Sequence, residues 1–291
     1  MGTLTAAQAE QYKTEGYVVA RSAVTAAQLA ALKSQIAAWI EESRSKKGNY
    51  GETQTGHHRF DLEAGHSADR PRLRRINTPS EISEIYSEVA FESAMVDMVA
   101  EAVSPNLKFL QSKINLKLPS TDTRVGYHQD FAFVPHSNDD VATALLMLDD
   151  MTVENGCLKV VPGSHLEGQA SLWQGDFFAG EVAPDVVAEC ERRAVEVTGP
   201  AGSVCIMHGH MLHGSHPNRS AHSRGLFICM YSAADAFLLR ENTLPNRDEG
   251  KIVRGTPTRL VRLKPGTVEL PEKFRSTSFF EVQGQKSVYA D

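Results

Sequence analysis

A chain of 291 residues, 41% hydrophobic and 23% charged, fits one elaborated domain or two ordinary ones and excludes disordered, collagenous and coiled-coil classes. Its apolar runs are short, such as Ala144 to Leu148, against the ~20 residues a membrane span needs, so no membrane partner is expected. The formal charge of −6, from 30 basic and 36 acidic residues, does not suit a dedicated nucleic-acid binder.

The first third reads as helical. Thr5 is placed to cap a helix over Ala6 to Tyr12, and Tyr17 to Ala20 is a short β-like run. Met1 to Glu10 lacks the basic start and apolar core of a secretory signal. Thr25 and Gln28 have capping-box spacing, and Leu29, Leu32, Ile36, Trp39 and Ile40 follow at helical intervals. That helix should end between Ser43 and Lys47. Gly51 to Asn77 is polar and rich in His and Arg, with His57, His58, Arg59 and Arg75 among them. It reads as a long loop, and long loops in compact domains are often lids. Ser80 to Val103 returns to helix.

From Lys108 the period changes to two. Gln111, Lys113, Asn115 and Lys117 alternate with Ser112, Ile114 and Leu116. Further strands are expected at Val141 to Leu148, Leu158 to Val161, Ser203 to Met207 and Gly225 to Ser232. Asn155-Gly156 and Pro162-Gly163-Ser164 read as turns. Trp173 to Arg192 is irregular and then helical, and edge strands are expected around Leu260 and Phe279. Helices followed by many short strands indicate a mainly β protein of one domain, 1–291. Residues 1–106 would be a helical buttress with the lid loop, and 107–291 a β-sandwich or barrel core with a tail. Cys157, Cys190, Cys205 and Cys229 form no CxxC pair, which suits free thiols in a reducing cytoplasm.

Two constellations carry chemistry. In His128-Gln129-Asp130, residues two apart in an extended segment point the same way, so an imidazole and a carboxylate converge. A distant third ligand would complete a two-histidine, one-carboxylate set, which holds Fe(II) on one face and leaves positions for co-substrate and O2. The second constellation delivers His208, His210, His213, His216 and His222 within 15 residues, with Arg224 starting the next strand. A guanidinium is the natural partner of a carboxylate. Any of these histidines alone is an ordinary solvated or core side chain.

Taken together, three segments resemble the phytanoyl-CoA dioxygenase family of Fe(II)- and 2-oxoglutarate-dependent oxygenases. They are Tyr127-His128-Gln129-Asp130-Phe131; Glu154-Asn155-Gly156-Cys157-Leu158 with Val161-Pro162-Gly163-Ser164-His165; and His213-Gly214-Ser215-His216-Pro217-Asn218-Arg219-Ser220 with Arg224. The likeness is strong over Leu107 to Ser232 and weak outside it. It implies a double-stranded β-helix, a jelly-roll or cupin-like core. It also implies iron ligation by His128, Asp130 and His213, and Arg224 on the distal carboxylate of 2-oxoglutarate. Asn115, Thr143 and Leu145 would be further 2-oxoglutarate contacts. His208, His210 and His216 are rival ligands. His213 is preferred because it alone has both the Gly-Ser that follows and an Arg 11 residues on. The carboxylate of Asp130 leaves no vacancy for the halide that a halogenating relative would need.

The resemblance implies hydroxylation of an unactivated C–H with release of succinate and CO2, O2 and 2-oxoglutarate being co-substrates. The polar strand face and the basic stretch favour a small polar or anionic metabolite as the small-molecule partner. Gln111, Lys113, Phe131, Phe133, His57 and Arg59 are its candidate contacts. A zinc-dependent hydrolase using the same three ligands and a non-catalytic cupin-like binding module are the competing readings.

Overall fold

The computed structural model describes residues 3–119 and 123–271. Both predicted capping boxes form. Thr5 accepts from the Gln8 N–H at 3.2 Å and the Gln8 side chain accepts from the Thr5 N–H at 2.9 Å, starting α1 (Ala6–Glu15). Thr25 and Gln28 repeat the arrangement at α2 (Ala26–Ser43). Gly16 ends α1 at φ +80°, where an added Cβ would lie 2.4 Å from His165 Nδ1. Between the helices runs β1 (Tyr17–Ala20).

The stretch expected to be a lid is sheet. It contains β2 (Tyr50–Glu52), β3 (His58–Leu62) and β4 (Leu73–Asn77), paired in antiparallel register with Phe60 opposite Ile76. Phe60, Leu73 and Ile76 are buried in the main core. Three apolar side chains in short strands are enough to anchor the hairpins, and the many polar residues around them hid the period. The helix expected over Ser80 to Val103 is broken in two, α3 (Glu84–Glu92) and α4 (Ala94–Ala102), after a 3₁₀ turn at Pro79–Glu81. Ser93 separates them in extended backbone, and its hydroxyl donates back to the Val89 carbonyl at 2.6 Å.

The second half supplies β5 (Leu107–Lys117), β6 (Val125–His128), β7 (Val141–Met147) and β8 (Leu158–Val160). A small hairpin, β9 (Trp173–Gln174) and β10 (Phe177–Phe178), leads to α5 (Pro184–Arg193). Then come β11 (Val195–Val197), β12 (Val204–His208), β13 (His213–Ser215), β14 (Arg224–Ala233) and β15 (Ile252–Arg254). The tail strand is therefore β15, beside β5. Leu260 lies outside any strand and is 80% exposed, and Phe279 lies outside the described residues.

One sheet has the order β1-β12-β7-β14-β5-β4-β3-β2, with β15 added at β5; a second has β11-β8-β13-β6. All pairings are antiparallel. From β5 to β8 the chain alternates between the two sheets, and it does so again from β12 to β14. Side-chain alternation then divides the large sheet's faces. Phe227, Cys229 and Tyr231 of β14 join Leu32 of α2, Tyr86 of α3 and Val99 of α4 in the main core. Leu226, Ile228 and Met230 face the other way, into a cavity shared with the second sheet.

Candidate active site

His128 is the last residue of β6, and Asp130 opens the 3₁₀ turn Asp130–Ala132 that follows. His213 is the first residue of β13 and sits directly opposite His128 in the ladder. Their rings lie 4.1 Å apart between centroids. Asp130 Oδ1 is 3.6 Å from His128 Nε2 and 3.7 Å from His213 Nε2. One ligand atom from each residue falls within 4.8 Å of the others.

The ring orientations are set from behind. His128 Nδ1 lies 2.8 Å from the Gly126 carbonyl and His213 Nδ1 lies 2.9 Å from the Met211 carbonyl. A carbonyl only accepts, so each Nδ1 carries the hydrogen and each Nε2 presents its lone pair to the common point. Thr143 on β7 donates to Asp130 Oδ2 at 2.5 Å, which leaves Oδ1 facing the histidines. Burial pushes the His213 imidazole down to about 4, and neighbouring His128 adds to the effect. Burial alone would raise the Asp130 carboxyl, but His213, His128 and Lys113 hold it below the usual carboxylate range. Two imidazole Nε2 atoms and a carboxylate oxygen on one side of a point suit a divalent iron with open coordination positions.

The rival histidines are engaged elsewhere. His210 stacks on Phe131 at 4.1 Å, and its Nε2 lies 3.5 Å from Asp139 Oδ1. His208 lies between His165 and His210, and His216 Nε2 is 3.0 Å from Lys159 Nζ.

The three residues line a cavity of about 140 Å³ between the sheets. Leu145, Leu158, Met207, Leu226, Ile228 and Met230 supply apolar wall. Arg74, Arg75, Lys113, Lys117 and Arg224 bring five basic side chains against the carboxylates of Glu63 and Asp130, with burial and then Arg224 lowering the Lys117 pKa to about 7. Arg224 is 4% exposed and opens β14 opposite Lys117. Its Nη2 donates to the Gly156 carbonyl, while its Nε is buried with no acceptor among the described residues. Burial lowers its pKa to about 10. The carbonyl oxygen Oδ1 of Asn115, on β5, is likewise buried without a partner. The buried donor edge of Arg224 left incomplete fits a carboxylate of an anionic co-substrate, while the unpaired Asn115 Oδ1 in the same cavity calls for a donor such as a hydroxyl or water.

Gly156 is what allows the tether on Arg224. It has φ +70°, and a Cβ there would lie 2.5 Å from the His216 carbonyl. The Asn-Gly turn is thus a support for the site as well as a corner.

Of the candidate contacts, Gln111, Lys113, Asn115, Phe133, Thr143 and Leu145 line the cavity. Three expected contacts do not. Arg59 is buried under the β2–β4 hairpins, ion-paired with Glu81 at 2.9 Å and donating to the Thr78 carbonyl at 3.0 Å. His57 lies in the β2–β3 turn away from the cavity lining. Phe131 is fully buried against His210, with Leu110, Val134, Val141 and Met230. Arg74 and Arg75, within the stretch expected to be a loop, also reach the cavity. They belong to β4, whose register puts Arg75 opposite Asn115. The Leu73 to Ile76 anchors, read as a strand, would have revealed them.

A family profile described as Phytanoyl-CoA dioxygenase (PhyH) matches residues 12–226. The chain belongs to the phytanoyl-CoA dioxygenase family. Among relatives of this family, a protein of Stutzerimonas stutzeri named "Probable alpha-ketoglutarate-dependent hypophosphite dioxygenase" is 30% identical over 285 residues, 96% of each chain. An L-proline trans-4-hydroxylase of Streptomyces griseoviridis is 28% identical over 66% of this chain and 79% of its own. A crystal structure of EctD from S. alaskensis with bound Fe shares the fold, with TM-score 0.68 and 20% identity over 89% of both chains. In the phytanoyl-CoA dioxygenase family, as in this cavity, the cofactor is iron with 2-oxoglutarate as co-substrate, and His128, Asp130 and His213 form a set suited to that iron.

Proposed function

We propose that the protein is a cytoplasmic Fe(II)- and 2-oxoglutarate-dependent hydroxylase with a jelly-roll core, acting on a small polar or anionic molecule. The observation that carries this reading is one cavity holding both the His128–Asp130–His213 cluster and the buried, incompletely bonded fork of Arg224. The overall reaction is R–H + O2 + 2-oxoglutarate → R–OH + succinate + CO2. Iron, when bound, supplies the activation of O2. His128, Asp130 and His213 hold the metal on one side and leave its cavity side free. Thr143 keeps Asp130 oriented. Arg224 binds the distal carboxylate of 2-oxoglutarate, Asn115 is a further polar contact that can donate to the co-substrate only through Nδ2, and Leu145, Ile228 and Met230 keep bulk water from the reacting atoms.

The substrate class has two supports. Cations outnumber carboxylates in the cavity lining. The relatives named for hypophosphite and L-proline act on a small anion and a small zwitterion. The four free thiols are buried, as suits a reducing compartment. The test is anaerobic reconstitution with Fe(II) and 2-oxoglutarate, then admission of O2 with a panel of small anions, zwitterions and neutral compounds. Succinate should form in step with oxidation of an anionic or zwitterionic member. Tight Zn(II) binding with hydrolysis of an ester or amide, and no succinate, would replace this reading with a hydrolase.

A further inference from the structure

The cavity holds more positive charge than the proposed co-substrate uses. Lys117 Nζ donates to Ser215 Oγ at 2.6 Å and to the His216 carbonyl. Arg75 Nε donates to Asn77 Oδ1 at 2.7 Å. Lys113 differs from these: its ammonium has no hydrogen bond or ion pair among the described residues. It lies on the central strand β5, between Asn77 of β4 and Ile228 of β14. Its charge is felt by Asp130 and His213. Burial, with Arg75 adding, pushes its pKa down to about 8. An enclosed ammonium without a partner is costly, and an anion delivered by a ligand removes that cost.

Resting on the oxygenase reading above, we propose that Lys113 is the anion-recognition residue for the primary substrate, which therefore carries a carboxylate or a phosphorus oxyanion. The spacing separates this role from that of Arg224. Arg224 is paired in register with Lys117, four residues along β5 from Lys113. At roughly 3.3 Å per residue that is about 13 Å of strand. The five-carbon skeleton of 2-oxoglutarate spans about 5–6 Å with bonds of ~1.5 Å. With its distal carboxylate at Arg224, that molecule reaches Lys113 only where the two long side chains lean together across the cavity, and the 2-oxoglutarate affinity of the Lys113 variants decides between the two roles. An ammonium is a compact charge with rotatable donors, so it accepts planar and tetrahedral oxyanions alike. The neighbouring charge of Arg75 strengthens the preference for an anion over a neutral ligand.

The experiment uses the anaerobic enzyme loaded with Fe(II) and 2-oxoglutarate. Hypophosphite, methylphosphonate and propionate are titrated calorimetrically, with propionamide as the neutral control. At least one anion should bind saturably and propionamide should not. Lys113→Met should weaken that anion about 10- to 100-fold, the loss of one charge-assisted contact. Its 2-oxoglutarate Kd should stay within about twofold, and Lys113→Arg should restore part of the anion affinity. Thermal melting checks that the Met variant is folded, and Lys113→Gln serves if it is not. Titration of 2-oxoglutarate alone separates the two readings: wild-type protein that binds none with Fe(II) overturns the oxygenase assignment itself. Loss of 2-oxoglutarate rather than anion affinity in the Lys113 variants overturns the present proposal, as does a wild type that binds none of the three anions.

Discussion

Truncating Arg224 tests the proposed co-substrate site with little collateral damage. The guanidinium is buried, yet among the described residues its one hydrogen bond runs from Nη2 to the Gly156 carbonyl, and Nε has no acceptor. The remaining donors are therefore available to a carboxylate. A hydrogen bond to a charged group is worth about 1.5–3 kcal/mol, and about 1.4 kcal/mol is a factor of ten. Losing one such bond weakens 2-oxoglutarate roughly tenfold and losing two about a hundredfold or more, with water in the vacated space limiting the upper end. The cost to folding should be small. The Gly156 carbonyl loses a charged donor worth about 1.5–3 kcal/mol, but the desolvation cost of a buried cation is removed with it. Arg224→Ala should accordingly raise the 2-oxoglutarate Kd by 10- to several-hundred-fold in anaerobic calorimetry, with Fe(II) binding and melting temperature nearly unchanged. Arg224→Lys should recover only part, because it keeps the charge and loses the fork. Exposed Arg219, in the turn after His213, is the control. A normal 2-oxoglutarate Kd in Arg224→Ala with a raised one in Arg219→Ala would refute the assignment.

Thr143→Val keeps the side-chain volume but removes the donor to Asp130 Oδ2; Fe(II) affinity measured by chelator competition should drop about 10- to 100-fold. His128→Ala, Asp130→Ala and His213→Ala should each abolish stoichiometric Fe(II), whereas His210→Ala should keep it; the reverse for His213 and His210 would show that the wrong histidine was chosen. Arg59→Ala should lower stability by about 2–4 kcal/mol in urea unfolding, since Glu81 loses its ion-pair partner while keeping donors from Arg247, Gln54 and Thr78, and the Glu52 and Thr78 carbonyls lose theirs, without a selective change in substrate KM. Acid should destabilise the metal-free protein: the folded pKa values of buried His136 and His213 are near 4 against 6.5 unfolded, so the unfolded chain binds more protons between those values. That stability is present above pH 6.5 and is lost as pH falls towards 4, on the order of 2 kcal/mol per imidazole by pH 5. A flat melting temperature over this range would contradict the burial of these two rings.

The parts of the fold readable from sequence are those governed by short-range rules. A capping box spans four residues, and the alternation of β5 has period two, so both appear in a local window. His128 and Asp130 are legible for the same reason. Placing His213 against them needed the β6–β13 ladder, and sequence supplied it through the family likeness alone. The β2–β4 region misled because its anchors are few. Phe60, Leu73 and Ile76 are separated by residues that are polar whether they face water, the cavity or, like Arg59, a buried carboxylate. Polarity therefore did not report exposure. Phe131 shows the converse: adjacency to the ligands suggested a substrate wall, but the 3₁₀ turn at Asp130 rotates its ring into His210.

The division of labour on β5 explains why this cavity can be polar without destabilising the domain. Ile114 and Leu116 face the helices, and Lys113, Asn115 and Lys117 face the cavity. A one-residue slip would exchange the two sets, placing charged side chains under α2, α3 and α4 and apolar ones beside the metal ligands. The register is held from both flanks, by β14 along nearly the whole strand and by β4 at Lys113 to Asn115. The irregularity between Met230 and Tyr231 lies beyond the polar segment. It lets Leu110 join Phe131 and Val134 without disturbing the alternation at Lys113. The β2–β4 hairpins thus do more than cover an edge. By pairing with β5 at the polar positions they fix which residues the cavity receives, and they add Arg74 and Arg75 to its wall. The proposed selectivity for an anionic ligand would in this way be a property of sheet register, set by strands whose own sequence shows little of the β period.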